Sequence, residues 1–270
     1  MKKILLSLCL CLSVPCLAVT NNCGVDDPYL CQLAEQGDAV AQLNLGVMYN
    51  NGLGVKQDYQ TAIKWYQKAA EQDCAEAQNN LGVMYNNGQG VIQDYQTAIK
   101  WYQKAAEQDY AVAQFNLGVM YDYGLGVKQD YQKAVKWYQK AAEQGNVKAQ
   151  NNLGVMYVNG LGVKQDYQKA VTWYQKAAEQ DYAGAQFRLG VMYFNGQGVK
   201  QDYKTAVMWY QKAAEQELAE AQFGLGGMYD YGLGVRQDKS LAKQFYGDAC
   251  EQGLQVGCDG YRLLNEQGVH

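Results

Sequence analysis

The chain has 270 residues, with 27 acidic and 23 basic side chains, one histidine and a formal net charge of −4. This mildly acidic, evenly mixed composition lacks the clustered Lys and Arg side chains whose counterion release drives binding to nucleic acids, so we expect no DNA or RNA partner. After the N-terminal segment, no apolar run reaches the about 20 residues that a transmembrane helix needs. We therefore expect no stable membrane span.

The first predicted element is a secretory signal peptide over residues 1–18. It starts with two lysines, continues as an apolar stretch and ends at Ala18, a small residue at which cleavage is expected. The stretch is shorter than a membrane anchor, and Ser-Val-Pro is a poor sequence before a lipidated Cys16. We therefore expect a periplasmic or secreted protein in which residues 19–38 form an N-terminal capping segment.

From residue 39 onward, the sequence repeats with a period of 36 residues. Six complete units cover residues 39–254, and residues 255–270 form a partial seventh unit that we expect to act as a C-terminal cap. A fixed period of this length indicates a solenoid, because a single unit cannot bury its own apolar faces and stacks on its neighbours instead.

The first half of each unit predicts one helix. In the first unit, Ala41, Leu45, Met48 and Tyr49 fall at i, i+4, i+7 and i+8 and so share one helical face. Gly46 lies beside that face and recurs in every unit. Because a glycine inside a helix costs about 1 kcal/mol relative to alanine, we expect another helix to cross closely at this position.

The second half of each unit predicts a second helix, with Ala62, Trp65, Tyr66 and Ala69 on one face and Asp58 as its N-cap. A glycine-rich loop joins the two helices. One aspartate per unit fits a helix cap better than a metal ligand, and we expect neither a metal nor a cofactor. The predicted fold is all-α: a right-handed α-solenoid of six 36-residue helix-loop-helix repeats with a C-terminal capping helix.

Once the signal peptide is removed, an odd number of cysteines remains, so one is free or pairs between chains; they are Cys23, Cys31, Cys74, Cys250 and Cys258. Cys250 and Cys258 lie on either side of a short turn between antiparallel helices, close enough for a disulfide. Cys23 and Cys31 can pair only if the chain turns back before Pro28, and otherwise stay apart. Cys74 is then free. Without a nearby histidine or a Cys-x2-Cys step, we do not expect a zinc site.

The repeated pattern Ala-x-x-x-Leu-Gly-x-x-Tyr-x-x-Gly-x-Gly-Val-x-x-Asp-x-x-x-Ala-x-x-Trp-Tyr-x-x-Ala-Ala resembles the Sel1-like repeat, a relative of the tetratricopeptide repeat with a longer inter-helix loop. A plain tetratricopeptide array has a shorter period and lacks the Gly-x-Gly-Val loop. The last unit departs from the pattern, with Lys239 for Tyr and Phe245 for Trp, as expected of an end unit that faces water. The glycine usual after Ala-Ala-x-x is replaced in four units, which leaves the turn geometry open; the replacing residues are Asp73, Asp109, Asp181 and Glu217.

The spacing of Cys250 and Cys258 is similar to that in a cysteine-rich, secreted branch of Sel1-like proteins. That branch has been linked to the binding and hydrolysis of β-lactams, so the resemblance implies a penicillin-binding or β-lactamase-like alternative. Ser240 and Lys243 have the Ser-x-x-Lys spacing of such enzymes and share a helical face. The companion Ser-Asp-Asn and Lys-Thr-Gly elements are missing, so we expect a scaffold and not an enzyme.

Comparison of the six copies predicts a partner-binding surface. Positions equivalent to 40, 43, 47, 50 and 51 vary most, and they form one stripe along the first helix, which usually lines the concave groove of such solenoids. Four of the chain's five phenylalanines lie on this stripe, whereas drift on a solvated face favours polar residues. Packing between adjacent units is the alternative. The predicted binding residues are Leu43, Phe115, Asp122, Tyr123, Phe187, Phe194, Phe223, Asp230 and Tyr231. The expected occupant is a protein or peptide, or else a cell-wall glycan, since aromatic faces with Asn and Asp also suit sugars.

Overall fold

The computed structural model describes residues 23–269. The predicted signal peptide, residues 1–18, lies outside the described residues, as does His270. Every regular element in residues 23–269 is an α-helix, which confirms the predicted all-α solenoid class. The fourteen helices there are α1 (Pro28–Glu35), α2 (Ala39–Asn51), α3 (Tyr59–Ala70), α4 (Ala75–Asn87), α5 (Tyr95–Glu107), α6 (Ala111–Tyr123), α7 (Tyr131–Glu143), α8 (Val147–Asn159), α9 (Tyr167–Ala178), α10 (Ala183–Asn195), α11 (Tyr203–Ala214), α12 (Ala219–Tyr231), α13 (Lys239–Glu251) and α14 (Gln255–Glu266).

The chain divides into two compact units, one ending at Ala77 and the other starting at Gln78. In the first unit, α2 packs against both α1 and α3. In the second unit, each helix from α5 to α13 packs against the next one in the chain. Apolar faces of successive hairpins therefore form a continuous core in this second unit, as the 36-residue period predicts.

Helix ends follow the repeated sequence. Asp94 precedes α5, and its carboxylate accepts hydrogen bonds from the backbone N–H groups of Gln96 and Thr97 at 3.0 and 3.1 Å. Equivalent aspartates cap the other second helices. First helices end at a glycine in the left-handed conformation, for example Gly124 with φ of 69°, which a residue with a side chain rarely adopts.

The glycine inside each first helix makes room for an aromatic ring of the second helix. A Cβ atom built on Gly82 would lie 2.5 Å from Cε1 of Tyr102, closer than real Cβ contacts come. Gly226 and Tyr246 show the same arrangement. The close helix crossing predicted from the sequence is therefore a contact between glycine and a buried tyrosine.

The turn between repeats keeps a left-handed residue even where the family's glycine is replaced. Asp109 and Asp181 adopt φ values of 58°, and Asp73 and Glu217 adopt 59°. At the corresponding position of another repeat, Gly145 has a φ of 88°. The substitution changes the residue type but retains the sign of φ, so the turn geometry left open by the sequence is left-handed in both cases.

Two disulfides lie at the ends of the described chain. Cys250 in α13 is joined to Cys258 in α14 with a Cα–Cα distance of 4.6 Å. Cys23 is joined to Cys31 in α1 with a Cα–Cα distance of 5.6 Å, because the chain turns back before Pro28. Cys74 is free and half-buried.

Candidate functional site

Phenylalanines of the variable stripe are half-buried on the first helices. The rings of Phe115, Phe187 and Phe223 lie 5.9, 5.7 and 5.4 Å from the rings of Tyr138, Tyr210 and Tyr246, each on the second helix of the same repeat. Phe194 lies 5.4 Å from the ring of Tyr203. Phe115, Phe187 and Phe223 therefore each cover a core tyrosine, Phe194 covers the half-buried Tyr203, and all four present only part of their surface to solvent.

Leu43, at the same position in the first unit, is only 8% exposed and offers little surface to a ligand. By contrast, Tyr123 and Tyr231 are 68% and 73% exposed. Both tyrosines follow an aspartate at the end of a first helix, Asp122 and Asp230 respectively. The most accessible aromatic rings among the predicted binding residues are thus these two tyrosines.

The third and sixth repeats carry the same side-chain set: a phenylalanine on a core tyrosine, then an aspartate and an exposed tyrosine. In the third repeat the Tyr138 hydroxyl donates a hydrogen bond to Oδ2 of Asp122 at 3.0 Å. Burial raises the pKa of the Asp122 carboxyl, and the hydrogen bond from Tyr138 partly offsets that rise. In the sixth repeat, burial and the nearby charge of Asp230 raise the pKa of Tyr246 to about 12.

Beside Asp122 lies a cavity of about 330 Å³, formed within the second unit. Asp122 and Tyr123 from the end of α6 line one side, and Asn151 and Asn152 from α8 line another. Arg188 reaches the cavity from α10. The structure thus brings two of the predicted residues together with polar side chains that the sequence analysis did not select, among them Asn151, Asn152 and Arg188.

The repeat pattern matches a known family. The Sel1 repeat matches residues 39–74, 75–110, 111–146, 147–182, 183–218 and 219–254. The chain belongs to the Sel1 repeat family. Sel1 repeats form a scaffold fold that typically mediates protein–protein interactions. No curated protein matches the chain.

Solved structures of Sel1 repeat proteins are similar to this Sel1 repeat protein to different degrees. The protein c5321, a protective antigen present in uropathogenic Escherichia coli strains, has an SLR fold and superposes with a TM-score of 0.85 and 42% identity over 88% of this chain. The match covers 51% of the E. coli protein, so this chain spans about half its length. A Sel1 repeat protein from Oxalobacter formigenes has a TM-score of 0.72 and 37% identity over 79% of this chain and 86% of its own. Helicobacter pylori cysteine rich protein B also matches, with 27% identity over 50% of this chain and 97% of its own and a TM-score of 0.40.

Ser240 and Lys243 of this Sel1 repeat protein both lie on α13, and their surroundings differ. Ser240 is exposed near the start of α13. The Lys243 ammonium donates hydrogen bonds to Oδ1 of Asn265 at 2.9 Å and to the carbonyl of Val269 at 2.6 Å. In the described part of the chain, no hydrogen bond joins Ser240 to Lys243. Lys243 therefore joins α13 to the C-terminal segment.

One cluster in residues 23–269 has the composition of a metal site: Cys23, Cys31 and Glu35. Both sulfur atoms belong to a disulfide, so neither is the thiolate that a metal ion requires. The helices between residues 23 and 269 are too short or too polar to cross a bilayer.

Proposed function

We propose that this Sel1 repeat protein is an exported scaffold that binds a protein or peptide partner along the surface of its first helices. The observation that carries the proposal is the exposure of Tyr123 and Tyr231, each next to an aspartate in a repeat that also carries a half-buried phenylalanine. Large rigid aromatic side chains supply most of the binding energy at protein interfaces. The other four repeats have asparagine at the same position; these residues are Asn51, Asn87, Asn159 and Asn195.

Export is supported by cysteine chemistry and by the N-terminal sequence pattern. Disulfides persist in oxidising compartments such as the periplasm or the extracellular space, and residues 1–18 have the pattern of a signal peptide. Two disulfides, at Cys23–Cys31 and Cys250–Cys258, fit that environment. The proposed location is therefore the periplasm or the medium.

The binding proposal is tested by capture from a periplasmic or extracellular extract under oxidising conditions. We expect the wild-type chain to retain a partner that the double variant Tyr123→Ala/Tyr231→Ala loses. Ile92→Ala is the matched control, because Ile92 is an apolar side chain that is 91% exposed on an inter-helix loop. Retention of the partner by the double variant, with an unchanged helical circular dichroism spectrum, would contradict the proposed surface.

Export is tested separately. We expect a C-terminally tagged full chain to be recovered from the periplasm or medium with residues 1–18 removed, as read by N-terminal sequencing. An uncleaved chain confined to the cytoplasm would contradict export but leave the binding surface unaffected.

A further inference from the structure

Asn79 and Asn151 occupy the same position in the first helices of two repeats, yet their side chains differ in hydrogen bonding. Both are buried. The Oδ1 atom of Asn79 accepts a hydrogen bond from Nδ2 of Asn116, in the following repeat, at 2.9 Å. Oδ1 of Asn151 is buried and has no hydrogen-bond partner within the described residues. Asn79 is therefore hydrogen-bonded to the following repeat through its Oδ1 atom, whereas Oδ1 of Asn151, at the equivalent position, is not.

The difference arises from one substitution. The residue equivalent to Asn116 in the repeat after Asn151 is Arg188. Its guanidinium lies beside the Tyr174 hydroxyl. Burial raises the pKa of Tyr174 to about 12, and the positive charge of Arg188 partly opposes that rise. Nδ2 of Asn151 points to Oδ1 of Asn152 at 3.3 Å, which leaves Oδ1 of Asn151 as an open acceptor. Buried carbonyl groups without a donor are rare because they cost free energy.

Asn151 belongs to the lining of the cavity beside Asp122, and its unpaired Oδ1 atom is buried beneath that lining. The exposed Arg188 guanidinium provides a fixed positive charge on one wall of that cavity. Half-buried Asp122 provides a carboxylate on another wall, held by the hydroxyl of Tyr138. A ligand that complements both charged walls offers an anionic group to Arg188 and a cationic group to Asp122.

Building on the proposed function, we propose that this cavity, between α6, α8 and α10, binds an extended peptide segment of mixed charge. An acidic group of the peptide lies next to Arg188, and a basic group lies next to Asp122. The Asn151 side chain turns toward the cavity so that its Oδ1 atom accepts a peptide N–H. A volume of about 330 Å³ is at the lower end of the range for small-ligand sites, so it accommodates a short linear segment and not a folded domain. A neutral glycan offers no charge to either wall, and a polyanion is repelled by Asp122.

The test uses four synthetic peptides and the full mature chain in saturation-transfer NMR titrations. Two blocked peptides carry opposite charge orders, acetyl-Lys-Ala-Glu-amide and acetyl-Glu-Ala-Lys-amide, and a third, acetyl-Gln-Ala-Gln-amide, is neutral. The fourth, acetyl-Lys-Ala-Ala with a free C-terminus, distinguishes a terminal carboxylate from an acidic side chain. We expect at least one peptide carrying both charges to bind about tenfold more tightly than the neutral peptide, and about tenfold more weakly to Arg188→Gln. Equal binding of all four peptides would overturn the proposal.

The two asparagines supply a matched pair of variants. Asn151→Leu removes the open acceptor, so we expect about tenfold weaker peptide binding together with an unchanged or raised melting temperature. Asn79→Leu breaks the bond to Asn116, so we expect a lower melting temperature with unchanged peptide binding. If Asn151→Leu binds peptide like the wild type, the assignment of Asn151 is wrong. If partner capture depends on Tyr123 and Tyr231 but no peptide binds in a charge-selective way, the cavity site is rejected and the proposed function stands. If peptides bind in a charge-selective way but partner capture does not depend on these tyrosines, the proposed function is rejected and the cavity site stands.

Discussion

The side-chain amide of Gln144 donates a hydrogen bond to Oε1 of Gln114 at 2.8 Å, and Nε2 of Gln114 donates to the carbonyl of Ala106 at 3.3 Å. Gln114 is fully buried in α6. It therefore links the end of its own repeat's second helix to the second helix of the preceding repeat. The same glutamine pair, also at 2.8 Å, recurs in other repeats as Gln72–Gln42, Gln108–Gln78, Gln180–Gln150 and Gln216–Gln186.

Replacement of Gln114 by Leu should destabilise the protein by about 1–3 kcal/mol, because it removes the side-chain hydrogen bonds to Gln144 and to the carbonyl of Ala106, which keeps the backbone N–H of Asp109 as a donor. The matched control is Gln222→Leu. Gln222 occupies the same position in α12, but its buried Oε1 has no partner within residues 23–269. We expect that variant to be nearly neutral in urea unfolding, and equal losses for both variants would contradict the role of the pair.

Two adjacent glycines of α12 should respond to alanine in opposite directions. A Cβ on Gly226 would lie 2.5 Å from Cδ1 of Tyr246, whereas the nearest atom to a Cβ on Gly227 is the Tyr246 hydroxyl oxygen at 3.8 Å. Gly227→Ala should stabilise the chain by up to about 1 kcal/mol through helix propensity. Gly226→Ala should destabilise it by about 1–3 kcal/mol through overpacking. Urea unfolding measures both, and a stabilising Gly226→Ala would refute the close contact with Tyr246.

The N-cap of α5 should make stability depend on pH. The hydroxyl of Thr97 donates to Oδ2 of Asp94 at 2.6 Å, and this bond, followed by those from backbone N–H groups, lowers the pKa of Asp94 below 3.8. A carboxyl whose pKa is lowered in the folded state stabilises the protein above its unfolded pKa, and that stability is lost as pH falls through the folded pKa. Asp94→Asn retains an acceptor but does not titrate. The stability advantage of the wild type over Asp94→Asn should therefore shrink between about pH 6 and about pH 3, and an advantage independent of pH would exclude this mechanism.

The bridge between α13 and α14 should stabilise the C-terminal end of the chain. It closes a loop with a sequence separation of 8 residues, for which loop entropy corresponds to about 2–3 kcal/mol. We expect Cys250→Ala/Cys258→Ala to lose about that much in urea unfolding. Cys74→Ala is the control, because Cys74 is free. If adding a thiol reductant lowers the stability of the double variant as much as that of the wild type, the effect does not come from this bridge.

The apolar faces of the helices could be predicted because the spacing of the apolar residues is a local pattern that recurs six times. Asp58 was placed as a cap from its position before an apolar stripe, and its carboxylate accepts hydrogen bonds from Gln60 and Thr61. Gly46 was predicted to lie at a close contact, and the Tyr66 ring occupies that space. Both inferences need only the helical period and the conformational properties of one residue type.

The cavity was only partly predicted, because its character depends on pairs of residues in different repeats. Variability selected Asp122 and Tyr123, but the sequence of a single repeat does not distinguish Asn151 from its hydrogen-bonded equivalent Asn79. The distinction depends on the residue 37 positions later, which is Asn116 for Asn79 and Arg188 for Asn151. Variability also indicated Phe115 without indicating its orientation, and the ring lies half-buried on Tyr138.

Equal repeat length has a consequence for how such a chain changes over generations. Tyr110 and Asn146 both directly precede a first helix, α6 and α8 respectively, so excision of residues 111–146 would rejoin the chain at an equivalent place. We expect the shortened protein to retain its hairpin packing within the second unit, while Asn86 replaces Asp122 beside α8. Slippage between near-identical gene segments would then exchange one wall of the cavity in a single event, altering ligand preference without any point mutation.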